Sequence, residues 1–377
     1  MYRSLDTCPP MCESPRVIRV AHVGTGNVGS LALRHVIEDP RFELTGVCVS
    51  NADKVGRDAG DLARTAATGI TAVDSLDAVL ADRPDCLVYC AMGETRFFDA
   101  LNDVQRVVEA GVNVVGTSPT TLMYPWGVLP DPMIEPIEKA AQASGVSVFV
   151  NGVDPGFAND LVPFALAGTC RKVEQVRCLE LADYATYDGA TVMFDVMGFG
   201  YPEDKVPMLF KPGVLSAAWG VSLRELAAGF GVELDGITES YEREHATEAF
   251  DVAAGHIPAG GVSAVRFEIT GTVNGRPAFV VEHVTRLQTD LRPDWAQPAQ
   301  AGGSYRVEIT GEPSYTIDVC PTSREGDHNY AAILAGAGRV VNAIPAVVAA
   351  EPGIRTTLDL PLVRGGTFSQ EQQHGTG

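Results

Sequence analysis

The stretch of sequence that decides the fold is Val17-Ile-Arg-Val-Ala-His-Val-Gly-Thr-Gly-Asn-Val-Gly-Ser30. Its first seven residues predict a buried strand, and the residues that follow the glycines predict a helix. Between them lie three glycines, which in a strand–turn–helix unit permit the tight turn, the close approach of a pyrophosphate and the contact of helix with strand. The helix N-terminus adds unpaired N–H groups. The alternative is an ordinary turn with convenient glycines. We predict a dinucleotide-binding loop in which Gly24, Thr25, Gly26, Asn27 and Val28 contact the cofactor and Gly29 permits the packing.

Short apolar runs alternate with helical patterns over the first 150 residues. Predicted strands are Val17–Val23, Phe42–Val49, Thr71–Val73, Cys86–Ala91, Asn113–Thr117 and Val146–Val150, and predicted helices are Val28–Glu38, Ser75–Ala81, Thr95–Ala110 and Pro132–Ser144. Such alternation is typical of βαβ units and of a parallel sheet that is covered on both faces. The fold class is therefore α/β at the N-terminus, with a Rossmann domain over residues 16–155 that binds a nicotinamide dinucleotide.

The pattern changes after residue 156, where longer alternating strands replace the short apolar ones. A helix is predicted over Asn159–Ala167, and strands over Val173–Tyr184, Gly236–Asp251, Val262–Val273, Ala278–Asp290 and Ser304–Thr310. Asn274-Gly275 is typical of a two-residue hairpin turn. We predict an α+β second domain over 156–327, with an open, mostly antiparallel sheet that binds substrate and forms a homodimer. The apolar segment Tyr330–Val348 should pack back on the first domain as part of 328–363, and residues 1–15 and 364–377 should be a disordered lead and tail.

The composition and net charge argue against some classes of binding partner. The chain has 377 residues and a formal net charge of −20, which argues against nucleic acid and anionic membranes. We find no signal peptide and no run that approaches the ~18 apolar residues of a membrane span. The eight cysteines are scattered, which is typical of a reduced, cytoplasmic protein. Cys8 and Cys12 lack partners in the sequence for a metal site, and no metal is expected.

The end of the second predicted strand bears on the choice of dinucleotide. An NAD-binding domain usually places Asp or Glu there for the ribose hydroxyls. Here Ser50 and Asn51 can bind a 2′-phosphate without repelling it, and Lys54 or Arg57 can neutralise it. The alternative is that Asp53 serves NAD and the two cations are solvated. We predict that the site prefers NADP and also accepts NAD.

Four segments together carry a resemblance to a known family. They are the glycine loop, Cys90-Ala-Met-Gly-Glu94, Asn151-Gly-Val-Asp-Pro-Gly-Phe157, and Asn342-Ala-Ile-Pro345 followed by Pro352-Gly-Ile354. Over residues 16–363 the chain resembles the dihydrodipicolinate-reductase-like family, and within it the 2,4-diaminopentanoate dehydrogenase branch with its native amine dehydrogenases. It lacks the His-His…Lys and Ser-Gly-Thr motifs of the true reductases. The resemblance implies reductive amination of a small ketone or aldehyde with ammonia, and the reverse deamination.

Glu94 is the candidate catalytic residue. It follows a predicted strand end, and the carboxyl ends of parallel strands face the cofactor. Amine oxidation needs a base, since an ammonium carbon gives up hydride only after nitrogen regains a lone pair; the same carboxylate can stabilise the iminium. The resemblance implies a glutamate at this place. The alternative is a first-turn helix residue favoured by the helix dipole.

Further site residues are predicted from the strand ends and from the residues that follow them. Cofactor contacts are assigned to Cys90, Ala91, Met92, Gly116, Thr117, Ser118, Asn151, Asp154, Pro155 and Asn342. The substrate pocket is assigned to Trp126, Phe157, Asn159, Tyr184, Met193, Phe194 and Met197. Ordinary core packing, and for Asn159 a helix cap, are the alternatives. The rival functions are another C=N or C=O reductase of this superfamily and a non-catalytic dinucleotide sensor.

Overall fold

The computed structural model describes residues 16–93 and 96–365. The first unit is built on a six-stranded parallel sheet with the order β14-β5-β4-β3-β1-β2. Its strands are β1 (Ile18–Val23), β2 (Phe42–Cys48), β3 (Cys86–Tyr89), β4 (Asn113–Gly116), β5 (Ser147–Val150) and β14 (Gly353–Arg355). Its helices are α1 (Asn27–Glu38), α2 (Ala59–Ala63), α3 (Leu76–Leu80), α4 (Phe97–Glu109), α5 (Asp131–Ser144) and the late α9 (His328–Val348). The predicted Rossmann sheet is therefore present.

Both faces of this sheet are buried, which explains why its strands are apolar throughout. On one face α3, α4 and α5 cover residues such as Leu87 and Val148. On the other face α1 and α9 cover Val115 and Phe149. The carboxyl ends of the strands are left open at one edge, which is where ligands bind in this class of sheet.

Helix α9 corrects one expectation from the sequence. With 21 residues it is, by length and composition alone, long and apolar enough to cross a membrane. In the structure its residues Ala337, Val341 and Ile344 lie in the core beside the sheet. Its contacts are those of a core helix, and they return the chain to the first unit.

The second unit carries a six-stranded sheet with the order β13-β12-β6-β11-β10-β7. These strands are β6 (Lys172–Asp183), β7 (Gly236–His245), β10 (Val262–Val273), β11 (Arg276–Arg286), β12 (Gly303–Glu312) and β13 (Tyr315–Val319), beside a small hairpin of β8 (Phe250–Val252) and β9 (Gly255–Ile257). All neighbours are antiparallel except β6 and β11. Helices α7 (Val214–Ala218) and α8 (Gly220–Gly229) pack on one face, and α6 (Leu161–Ala167) connects the two units.

Several predicted boundaries were wrong. The segment Thr71–Val73, predicted as the third strand, forms only isolated bridges to Cys48 and Asp58. It is therefore not a strand of the sheet. The segment predicted as one strand over Gly236–Asp251 divides into β7 and β8. Strand β14 and the helices around residue 220 were not predicted. The hairpin turn is confirmed, since Asn274 and Gly275 both have positive φ angles, 51° and 71°. The predicted lead 1–15, with Cys8 and Cys12, and the tail beyond residue 365 lie outside the described residues.

Candidate active site

A cleft of about 1250 Å³ opens between the carboxyl edge of the parallel sheet and the second unit. The glycine loop, the residues after β3 and the residues after β5 line one side of it. The other side is formed by β6, by the segment that follows β6, and by Trp219 at the junction of α7 and α8. Both units therefore contribute to one concave site, as in most enzymes that bind a cofactor and a second substrate.

Each of the three glycines in the loop is required for a different structural reason. A Cβ on Gly24, whose φ is 89°, would lie 2.6 Å from backbone atoms of Cys90 and Ala91. A Cβ on Gly29 would lie 2.2 Å from the carbonyl oxygen of Gly24. A Cβ on Gly26 would meet no described atom within 4 Å, so there is open space beside this residue.

That space fits a pyrophosphate. Gly26 is the N-cap of α1 and has no side chain to occupy the helix end, so the first N–H groups of α1 stay available. The residues present therefore fit a dinucleotide, which Gly24 to Val28 would hold by its phosphates.

A buried histidine supports the turn from below. The Nε2 of His22 lies 2.6 Å from the carbonyl oxygen of Gly24. Burial lowers the pKa of His22 to about 4. The ring is therefore neutral near pH 7, and its Nε2–H donates to Gly24. His22 therefore fixes the loop as well as packing beneath it.

The end of β2 contains the residues assigned to the 2′-phosphate. Ser50, Asn51 and Lys54 line the cleft. The Lys54 ammonium already donates to the Thr25 carbonyl oxygen at 2.6 Å and lies 3.2 Å from its hydroxyl. It therefore crosses over the phosphate loop. Arg57 is exposed and does not line the cleft, so its contact with the cofactor stays a prediction.

Most of the remaining predicted cofactor residues line the cleft: Cys90, Ala91, Met92, Thr117, Ser118, Asn151, Asp154 and Pro155. Gly116 does not, because it is buried as the last residue of β4. Asn342 does not either, and its assignment was wrong. Its Oδ1 accepts a hydrogen bond from Arg41, which precedes β2 at the opposite, amino-terminal edge of the sheet.

Glu94, the predicted catalytic residue, lies outside the described residues. Gly93 before it and Arg96 after the gap both line the cleft.

The predicted substrate residues separate into two groups. Tyr184 and Met197 line the cleft, whereas Met193 is fully buried in the core of the second unit and Phe194 packs against that core. Phe157 does not line the cleft. Trp126 is 39% exposed and lines a separate cavity of about 410 Å³ rather than the cleft.

Asn159 is neither a pocket residue nor a helix cap. The N-cap of α6 is Asp160. The Asn159 side chain accepts from the Gly156 N–H and donates to Oδ2 of Asp154, each at 2.9 Å. It therefore holds the Asp154 carboxylate in place.

Sequence reasoning missed a group that we name the carboxylate–histidine cluster: Asp154, Glu180 and His283. The Nε2 of His283 lies 2.9 Å from Asp154 Oδ1, and its Nδ1 lies 3.6 Å from Glu180 Oε2. Trp219 also donates to Asp154 Oδ1, at 2.8 Å, and Tyr184 donates to Glu180 Oε1, at 2.6 Å. The side chains of the cluster are at most 7% exposed, yet all three residues line the cleft.

The cluster has unusual titration properties. Burial would lower the pKa of His283, but the carboxylates, first Asp154 and then Glu180, outweigh it, and the pKa is raised. Burial raises the pKa of Glu180, and the histidine opposes this only in part. The cluster therefore holds protons beside a ligand cleft. Perturbed carboxyl and imidazole groups in a cleft are typical of functional sites.

The parallel sheet, the glycine loop and the two-sided cleft define a dinucleotide-dependent oxidoreductase. Comparison with known proteins gives the family. Residues 157–374 match the family model described as the 2,4-diaminopentanoate dehydrogenase C-terminal domain. An amine dehydrogenase from Streptomyces virginiae is 39% identical over 342 residues, which are 90% of this chain and 95% of that protein. The chain belongs to the 2,4-diaminopentanoate dehydrogenase family.

Two further relatives agree with this assignment. A 2,4-diaminopentanoate dehydrogenase from Acetoanaerobium sticklandii is 25% identical over 361 residues, covering 92% of this chain and 94% of its own. The structure of an amine dehydrogenase from Mycobacterium smegmatis superposes with a TM-score of 0.75 at 22% identity, covering 92% of this chain and 97% of that one. The latter supports the fold. The expected nicotinamide dinucleotide and the expected family are both confirmed.

Proposed function

We propose that this enzyme aminates a small ketone or aldehyde with ammonia at the expense of NADPH, and oxidises the matching primary amine in reverse. Amine dehydrogenase activity follows from the family. The observation that carries the proposal is the cleft, which joins the phosphate loop to a wall of apolar and aromatic side chains that includes Met197, Tyr184 and Trp219. Such a wall suits an uncharged alkyl group beside a reacting C–N bond.

We assign the base to Glu94. The nicotinamide supplies or accepts hydride when the cofactor is bound. The carboxylate would deprotonate ammonium before attack on the carbonyl, and its charge would stabilise the iminium. The described residues on both sides, Gly93 and Arg96, line the cleft, which supports this assignment.

We assign the preference for NADP to the end of β2. After β2 the cleft is lined by Val49, Ser50 and Asn51, none of which is a carboxylate, and Lys54 adds a cation beside them. Ser50→Asp should shift the ratio of kcat/KM for NADPH over NADH toward NADH, because a carboxylate repels the 2′-phosphate and binds the ribose hydroxyls. An unchanged ratio would remove Ser50 from this role.

We assign a homodimer to the face of the second sheet opposite α7 and α8, one part of which is covered by the segment around Trp295. That face carries paired charges rather than a helix: Arg177 contacts Glu268 at 2.8 Å, and Arg266 contacts Glu282 at 2.6 Å and Glu242 at 2.9 Å. An array of both signs is self-complementary about a twofold axis. Light scattering should give twice the mass of the chain, and a monomeric mass would contradict the assignment.

The decisive experiment is NADPH oxidation over a panel of small ketones and aldehydes, with and without ammonium. Turnover should depend on ammonium, and Glu94→Gln should lower it by at least about 100-fold while NADPH still binds. Turnover without ammonium would favour a carbonyl reductase. NADPH binding with no turnover on the panel, or in reverse with any amine, would favour a sensor.

A further inference from the structure

Formation of the iminium requires several proton transfers, and one group does not perform all of them in one step. From ammonium and a carbonyl compound, two N–H bonds break and two O–H bonds form before hydride arrives. A base on the nitrogen side is assigned above to Glu94. The oxygen that leaves as water needs a proton donor, and the proposed function names no group for that role.

The carboxylate–histidine cluster lies where such an acid is needed. Tyr184 and Glu180 line the cleft, and their hydroxyl and carboxyl oxygens are 2.6 Å apart. His283 faces the other Glu180 oxygen and is itself held by Asp154. A continuous series of polar contacts thus leads from the cleft to a buried carboxylate.

We propose that Tyr184 and Glu180 form a proton relay that supplies acid to the oxygen leaving the carbinolamine, with His283 and Asp154 as positioning residues. This inference rests on the proposed function. In the step, the C–O bond breaks and its electron pair stays on oxygen, which takes the Tyr184 hydroxyl proton and departs as water. The nitrogen lone pair forms the C=N bond. Tyr184 then takes a proton from the Glu180 carboxyl, and solvent returns to Glu180 the proton that the base removed from ammonium.

The same three side chains have the composition of a metal site. Their geometry favours the relay, because the two ring nitrogens of His283 face two different carboxylates. In addition, Asp154 Oδ1 already accepts from both Trp219 and His283, and Oδ2 accepts from Asn159. The Asp154 oxygens are therefore committed to donors within the chain.

The groups around Glu180 decide how it titrates. Burial and the Asp154 charge raise the pKa of Glu180, while His283 lowers it. A carboxyl with a raised pKa keeps a proton closer to neutral pH, as an acid must. The titratable groups that influence the relay from the packed elements are His283 and Glu282 on β11, Tyr305 on β12, Tyr187 after β6 and Asp154 after β5.

The test compares the first turnover with the steady state in amine oxidation. Hydride transfer from the amine precedes the addition of water to the iminium, and the relay acts, in reverse, as the base for that water. Glu180→Gln and Tyr184→Phe should therefore keep the rate of NADPH formation in the first turnover within about threefold of the unaltered enzyme. Their steady-state rate should fall by about 100-fold, a typical contribution of acid–base catalysis.

Glu174→Gln is the matched control. Glu174 lies on the same strand, exposed and paired with Lys172 at 2.6 Å, so both rates should stay unchanged. A parallel fall of both rates in both relay variants would overturn the relay, since the residues would then only shape the pocket. Unchanged steady-state rates would overturn it as well. If the unaltered enzyme oxidises no amine, the proposed function fails and the relay falls with it, whereas failure of the variants alone leaves Glu94 untouched.

Discussion

The phosphate loop and the carboxylate–histidine cluster face each other across one cleft, and each contains a buried histidine in the opposite state. His22 beneath the loop is bonded to a backbone carbonyl oxygen, and burial lowers its pKa to about 4. His283 is equally buried, but two carboxylates raise its pKa. The loop thus binds through backbone geometry with a neutral support, whereas the cluster stores charge. Burial alone does not fix a histidine's charge; the neighbouring groups do.

The largest expected effect comes from removing the charge of the cluster. His283→Leu would leave the buried Asp154 carboxylate without its cation, which should lower the free energy of unfolding by about 3–5 kcal/mol. Urea denaturation at pH 7 measures this. The matched control is His256→Gln, an exposed histidine paired with Asp251 at 2.7 Å, which should cost less than about 1 kcal/mol. Equal losses in the two variants would show that the cluster is not a charged unit.

The lowered pKa of His22 predicts that the stability of the protein depends on pH. Because the pKa of His22 falls from 6.5 to about 4 on folding, the unfolded chain binds a proton at a higher pH than the folded one. Its contribution is therefore present above pH 6.5 and is lost as pH falls toward 4. The loss amounts to about 3 kcal/mol.

His22→Gln keeps a donor and removes this titration. Its stability curve should be flatter than that of the unaltered protein between pH 6.5 and 4, as measured by denaturation at several pH values. His283 has the opposite sign, since a raised pKa stabilises below pH 6.5 and its contribution is lost as pH rises through the folded value. If the free energy of unfolding of the two proteins falls equally between pH 6.5 and 4, then His22 is not neutral in the folded protein.

Two alanine substitutions in the loop separate packing from binding. Gly29→Ala should destabilise the protein by about 1–3 kcal/mol, because the new Cβ meets the Gly24 carbonyl oxygen. Gly26→Ala should change stability by less than about 0.5 kcal/mol, since no described atom lies near. It should nevertheless weaken NADPH binding by about tenfold or more in a fluorescence titration. If Gly26→Ala binds NADPH normally, the space above it is not the pyrophosphate site.

The smallest effect is expected at Trp126. It contacts Tyr124 edge to face at 5.1 Å and lines the separate cavity, so Trp126→Ala should change kcat/KM for the amine by less than about threefold. Trp219→Phe is the comparison, because it removes the hydrogen bond to Asp154. It should lower kcat/KM more than Trp126→Ala does. The reverse ranking would return Trp126 to the pocket.

Local sequence was sufficient for the loop but not for the cluster. The glycines act within six residues, and the pattern of apolar strands predicts the sheet that holds them. Glu180 and His283 meet because β11 lies beside β6 in parallel. Asp154, 129 residues before His283, reaches the histidine from the loop after β5. No periodicity marks a single histidine on a strand as charged, so His283 was not singled out.

The wrong predictions have similar causes. Asn342 was placed at the cofactor by resemblance of a short motif, but α9 carries it to the far edge of the sheet. Trp126 and Asn159 follow strand ends, as site residues do, yet one turns to a separate cavity and the other to the Asp154 carboxylate. Strand β14 has only three residues, too few for a pattern. In each case a tertiary contact decided the outcome.

The late return of the chain to the first unit has a consequence for synthesis. Helix α9 and strand β14 complete a sheet whose other strands end at Val150, so the ribosome must add about two hundred residues before the sheet can close. Until then the β5 edge is unpaired, and the apolar surface around Val115 and Phe149 lacks the part of its cover that α9 supplies. Such surfaces attract other chains or chaperones. The N-terminal half expressed alone should therefore aggregate.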